Sequence, residues 1–236
     1  MRIDLHCHSK YSKRPSLWLM QKIGCPESFS EPLALYRSAK EKGMNGVTIT
    51  DHNVIDGCLE LAHLSDSFVS EEVTTYFPSD ECKLHVLVYD ITEAQHVEIQ
   101  ALRSNVFELV HYLNHWGIHH VLAHPFFAVN DRLTLDHMEE ALLLFKNFEL
   151  NGDQSVAANA LLRDVLDRLT PELYGELSDK HNLYLPFDEP WRKNLTGGSD
   201  DHSSLHLART YTEVPGARTK GEFFEGVEEG RTRLPA

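Results

Sequence analysis

Ile3-Asp4-Leu5-His6-Cys7-His8 reads as a strand whose two imidazoles, two residues apart, share one face while Leu5 and Cys7 turn to the other. Five more apolar runs release His, Asp or Glu at or near their ends. They are Thr48-Ile49-Thr50-Asp51-His52, Glu71-Glu72-Val73-Thr74, Leu84-His85-Val86-Leu87, Leu122-Ala123-His124-Pro125 and Gly197-Gly198-Ser199-Asp200-Asp201-His202. Taken singly, each has a plain reading: a polar strand edge, a turn with an Asp cap, or a hydrogen-bonded core histidine. Six in one chain are hard to produce by chance. In a parallel α/β architecture such ends converge on one face, where these folds place their sites. The convergence points to a metal site, and mixed imidazole and carboxylate donors suit Zn, Mn or Fe.

The rest of the chain supplies that architecture. Strand patterns at Ile3–His8, Gly46–Thr50, Phe68–Thr74, Leu84–Tyr89, His120–Ala123, Asn147–Leu150 and Leu195–Gly198 alternate with helical patterns at Glu31–Gly43, Ala94–Trp116, Leu135–Phe145, Val156–Asn182 and Lys220–Glu229. A short extended piece lies near Tyr211–Val214. Such alternation predicts βα units and a mainly parallel sheet, closed or open, since periodicity cannot choose between a barrel and a doubly wound sheet. Residues 1–236 read as one domain, and the abrupt end at Gly230-Arg231-Thr232-Arg233 suggests a longer native chain.

Composition narrows the function. A net charge of −14 argues against a broad basic face for duplex nucleic acid, so long nucleic acid is not the expected partner. No apolar run reaches membrane length and no leader opens the chain, which predicts a cytoplasmic protein without a membrane partner. Cys7, Cys25, Cys58 and Cys82 form no C-x-x-C pair, so neither a disulfide framework nor a zinc ribbon is expected. Phosphate-loop, dinucleotide, nucleophile-elbow and H-E-x-x-H motifs are all missing. Of 15 histidines, those outside the strand ends, including His96, His137 and His181, are read as surface or core residues.

Asp4-Leu5-His6-Cys7-His8-Ser9, Thr50-Asp51-His52, Glu72-Val73-Thr74, His85-Val86-Leu87, Ala123-His124-Pro125 and Gly198-Ser199-Asp200-Asp201-His202, in this order, resemble the PHP (polymerase and histidinol phosphatase) family. The resemblance implies a distorted (β/α)7 barrel with two or three divalent ions at the C-terminal mouth. One ion would take His6, His8, Glu72 and Asp200. A second would share Glu72 and add His85 and His124, and a third would use His52 and His202. The acid that many members place in the loop after H-x-H is here Lys13, in Tyr11-Ser12-Lys13.

The implied activity is metal-dependent hydrolysis of a small phosphomonoester or nucleotide, with an ion-held hydroxide attacking phosphorus. His6, His8, Glu72, Asp200 and His202 would carry the catalysis. Lys13, Arg14 and Arg132 follow strands on the mouth side and are candidates to orient the phosphate. Asp4, Asp51 and Asp201 are candidates to hold the outer N–H of the imidazoles. Two other readings stay open: an amidohydrolase acting on C–N bonds, and a non-catalytic metal-binding module. The Tyr11–Ser30 loop also resembles PHP domains linked to glycosyltransferases, which would associate this chain with a larger enzyme.

Overall fold

The period-2 alternation of strand side chains gives the central sheet two unlike faces, and this division places the site. The computed structural model describes residues 1–13, 27–184 and 188–235. Among these the strands are β1 (Arg2–Ile3), β2 (Ser70–Phe77), β3 (Cys82–Tyr89), β4 (His119–Leu122), β5 (Asn147–Asn151), β6 (Asn194–Gly198) and β7 (Thr212–Glu213). The helices are α1 (Pro32–Glu41), α2 (Asp56–Leu59), α3 (Glu93–Leu102), α4 (Val106–His115), α5 (Leu135–Leu144), α6 (Val156–Asp167), α7 (Pro171–His181) and α8 (Lys220–Glu228). No helix among the described residues is long and apolar enough to cross a membrane.

Among the described residues the strand ladders do not close into a continuous (β/α)7 barrel, so that expectation is met only as a mixed α/β fold. β2-β3-β4-β5-β6 make one sheet, and β1 pairs only with β7. β2–β3 and β3–β4 are antiparallel, while β4–β5 and β5–β6 are parallel. The β2–β3 link is short, and strands joined by a tight turn must run antiparallel. That turn is set by the Asp80 carboxylate, which accepts from Cys82 N at 2.9 Å, and by Glu81 in the left-handed region at φ 61°. Residues 5–8 and 47–52 join their neighbours through single bridges, Cys7 with Asp201 and His52 with Glu72, and through Thr50 N donating to Cys7 O at 2.9 Å.

Two expected long helices are each divided. Ala94–Trp116 breaks before Asn105, whose side chain accepts from Phe107 N and caps α4. Val156–Asn182 breaks before Pro171, which sits in the first turn of α7 behind the Thr170 cap. His137 belongs to a cap as well, pairing with Thr134 at the start of α5.

One sheet face, with Val73, Val86, Val88, Leu122 and Phe148, packs against the helices α3 to α7 in the main core. The other carries Leu87, Tyr89 and Val121 and packs with Ile3, Leu5 and α8 through Phe223 and Phe224. Burying each such large side chain contributes about 1.5–3 kcal/mol. His85 is two residues before Leu87 and four before Tyr89, so it points from that same face. The apolar cluster on α8 therefore floors the space into which His85 projects.

Candidate metal centre

Glu72, on β2, is the hub. Its Oε1 lies 2.8 Å from His85 Nδ1 and 3.0 Å from His124 Nε2. Its Oε2 lies 2.9 Å from His52 Nδ1, 3.3 Å from His8 Nε2 and 3.4 Å from His6 Nε2. Asp200 Oδ1, just past β6, approaches His8 Nε2 at 3.2 Å, His6 Nε2 at 3.3 Å and His202 Nδ1 at 3.7 Å. All eight residues expected from the sequence as metal donors thus lie in one buried cluster. Two of them adopt left-handed backbone, His124 at φ 28° and Asp200 at φ 53°, a strain that strand-end turns at functional sites commonly hold.

The ring protons can be assigned from the partners. A carboxylate only accepts, so His6 Nδ1, 2.8 Å from Glu149 Oε1, carries a proton. Ser12 Oγ gives its own proton to Asp51 Oδ1 at 3.0 Å and so accepts from His8 Nδ1 at 3.0 Å. Both Nε2 atoms are then left as lone pairs, facing one another at 3.0 Å beside two carboxylates. Four acceptors around one point are satisfied only by a cation, either a proton or a metal ion. Glu72 Oε2, His52 Nδ1 and His85 Nδ1 are also buried with no aligned hydrogen-bond partner. Within 4.8 Å sets, ligand atoms come together from His6, His8 and Asp200, from His52, Glu72 and His85, and from His8, His52 and His202.

Two carboxylates in this cluster escaped the sequence reading. Glu149 lies inside β5 and also accepts from His124 N at 2.9 Å and Asn151 Nδ2 at 3.0 Å. An acid between Phe148 and Leu150 is the same signal as His85 between Leu84 and Val86, and it could have been found that way. Glu27 reaches His52 Nε2 at 3.2 Å from the end of the first long loop, where no sequence pattern marks it.

Other expectations change. Lys13 is exposed, and Arg14 lies outside the described residues. Arg132 is half exposed and bonds the Asp80 carbonyl and Glu81 carboxylate at the β2–β3 turn instead of the cluster. Asp51 holds no imidazole directly: it accepts from Ser9 N at 2.7 Å and Ser9 Oγ at 2.6 Å and reaches His8 only through Ser12. Asp201 accepts from the loop, from Ser203 and from His206 N at 3.0 Å. Asp4 accepts from the backbone of His6, Ser199 and Ala208. His96, expected as a surface or core residue, pairs with buried Glu71 at 2.8 Å across space.

The electrostatics follow from four crowded carboxylates. Burial opposes charge on Glu72, but His52, His85 and His6 outweigh it and hold the carboxyl well below its ordinary range. Burial likewise opposes a charged His6, yet Asp200, Glu149 and Glu72 together raise it well above the usual imidazole value. His8 goes the other way, pushed well below by burial and by His202. Among the described residues no lysine or arginine has an ion pair with Glu27, Glu72, Glu149 or Asp200.

Solved structures with the same arrangement of elements place this geometry in context. A two-domain protein from Bacteroides vulgatus, containing a predicted PHP-like metal-dependent phosphoesterase, superposes with a TM-score of 0.58 at 16% identity, covering 99% of this chain and 64% of that one. The chain has the PHP-like fold. An amidohydrolase from Chromobacterium violaceum, solved with bound sulfate and no metal, superposes with a TM-score of 0.58 at 14% identity, over 100% of this chain and 99% of that one. A lesion-specific endonuclease from Pyrococcus furiosus gives 0.55 at 17% identity, over 99% and 57% of the two chains. In sequence, 73 residues are 42% identical to an uncharacterized protein of Methanocaldococcus jannaschii, 31% of this chain and 41% of that one. The match thus spans about two fifths of that relative. No family model matches the chain.

Proposed function

We propose that this chain is a metal-dependent phosphoesterase acting on a small phosphomonoester or nucleotide. The observation that carries the reading is the meeting of four buried or largely buried carboxylates with six inward-facing imidazoles and no lysine or arginine paired to them among the described residues. Buried carboxylates crowded this closely need cations beside them, and metal ions held by the imidazoles would supply that charge. The donor set fits Zn, Mn or Fe. His6, His8, Glu72 and Asp200 would hold one ion; Glu72, His85 and His124 a second; His52 and His202 belong to a third position. Such ions supply Lewis acidity and a nucleophile at neutral pH.

The chain's own groups do the positioning. Glu149 fixes the His6 ring so that Nε2 faces Glu72 and Asp200, and Ser12 does the same for His8. His202 Nδ1 donates to the Asp200 carbonyl at 2.9 Å, which turns its Nε2 inward. The apolar floor of Leu5, Leu87 and Tyr89 keeps water from the underside of the cluster. A net charge of −14 favours a small, singly anchored phosphate over a long polyanion.

The test is hydrolysis of p-nitrophenyl phosphate by purified protein with added Mn or Zn, compared with bis-p-nitrophenyl phosphate and with a chelator. Turnover of the monoester that the chelator abolishes supports the reading. Bound metal with no turnover of any ester would leave a binding module instead. The C–N hydrolase reading has less support, since no lysine reaches the cluster among the described residues.

A further inference from the structure

We infer that Glu27 is a metal-ligating residue: it supplies the carboxylate of the position formed by His52 and His202. This inference rests on the metal-dependent reading above and assigns it a donor that the sequence did not offer.

Glu27 Oε2 lies 3.2 Å from His52 Nε2, and Oε1 lies 3.7 Å from His202 Nε2. The Glu27 side chain is 10% exposed, and its Oε2 is buried with no aligned hydrogen-bond partner. His202 Nε2 is in the same condition. Because His202 Nδ1 gives its proton to the Asp200 carbonyl, a neutral ring presents only a lone pair to Glu27. His52 has Glu72 at one nitrogen and Glu27 at the other, so a neutral ring, with one proton, can satisfy only one of them. His8 stacks on both rings, with centroids 4.8 Å from His52 and 4.2 Å from His202, and holds them side by side. Three donors from three segments converge here, and one cation would satisfy the Glu27 and His202 lone pairs together.

The placement of Glu27 is built by the backbone. Glu27 N donates to Ser12 O at 3.1 Å, Lys10 N donates to Ser30 O at 2.9 Å, and Ser28 Oγ donates to His8 O at 2.9 Å. Residues 27–30 are thus laid along residues 8–12, and a carboxylate at position 27 must face the imidazoles that follow.

The experiment is titration of Mn²⁺ into chelator-stripped full-length protein, with free Mn²⁺ read by electron paramagnetic resonance and bound metal checked by elemental analysis. Wild type, Glu27→Gln, His202→Asn, the double variant and Glu72→Gln are compared. The inference predicts that Glu27→Gln weakens one ion, and only one, by at least about tenfold. His202→Asn should weaken that same ion, and the double variant should lose no further ion, as expected for residues sharing one site. Superimposable curves for wild type and Glu27→Gln would overturn the inference, as would loss of a second ion in the double variant. If Glu72→Gln still loses ions in that case, the metal-dependent reading survives without Glu27. If wild type and Glu72→Gln both bind none, the reading itself falls and Glu27 with it.

Discussion

Glu149 Oε1 lies 2.8 Å from His6 Nδ1, joining the middle of β5 to the segment after β1 across 143 residues of sequence. The contact decides which nitrogen of His6 faces Glu72 and Asp200, because an acceptor at Nδ1 forces the proton there and frees Nε2. Glu149→Gln replaces a charged, acceptor-only group by an amide that can also donate, so the His6 tautomer is no longer forced. We expect metal affinity or turnover to fall about 10–100-fold, the range typical for groups that orient a metal ligand. Mn²⁺ titration with p-nitrophenyl phosphate kinetics measures both; unchanged values would leave Glu149 a purely structural residue.

Gly198 makes room for that contact. A Cβ at this position would collide with His6 Cβ and come within 2.7 Å of Glu149 Oε1. Gly198→Ala should cost about 1–3 kcal/mol by overpacking. Urea denaturation followed by circular dichroism reads the cost, and wild-type stability would mean that the two side chains move aside freely.

Divalent ions should stabilise the folded chain, since the donors assemble only there. One ion at a hundred times its Kd contributes about 2.7 kcal/mol, which for a chain of this length corresponds to a Tm change of roughly 5–10 °C. Adding EDTA to Mn-loaded protein should therefore lower Tm by that amount, and Glu72→Gln should show little of the effect. A Tm indifferent to EDTA would argue against tight binding.

Lys193 gives a pH dependence away from the cluster. Burial, with help from Lys146, lowers its pKa to about 7, while its Nζ donates to Phe145 O at 2.9 Å and lies 5.4 Å from the Tyr174 ring centre. A folded-state pKa below the unfolded one means that protonation favours unfolding. The penalty is complete below pH 7 and fades as pH rises towards the unfolded lysine value of about 10. Lys193→Met should therefore stabilise the protein at pH 7 by on the order of 1 kcal/mol, and the gain should vanish near pH 10. Denaturation at several pH values checks it; a gain that grows with pH would contradict the assignment.

The strand-end residues could be read in one dimension because each states its own chemistry locally. His6 and His8 need only the i, i+2 rule to share a face, and His85 needs only the alternation of β3. Glu149 obeys that rule too: an acid between Phe148 and Leu150 in an apolar strand carries the same signal as a histidine there. Arg132 shows the opposite case, where position after a strand suggested a phosphate contact but the side chain bonds at the β2–β3 turn.

Residue chemistry and strand faces were thus available from sequence, since periodicity and donor type are local properties of the chain, whereas Glu72 and His85 meet the others from inside antiparallel strands and not from strand ends. The antiparallel turn between β2 and β3, the single bridges that replace full ladders at residues 5–8 and 47–52, and the return of Glu27 to His52 came only from the tertiary structure. Pairing direction depends on how a link closes in space, and the partner of a loop carboxylate depends on which distant segment its backbone is laid against. Neither leaves a periodic trace along the chain.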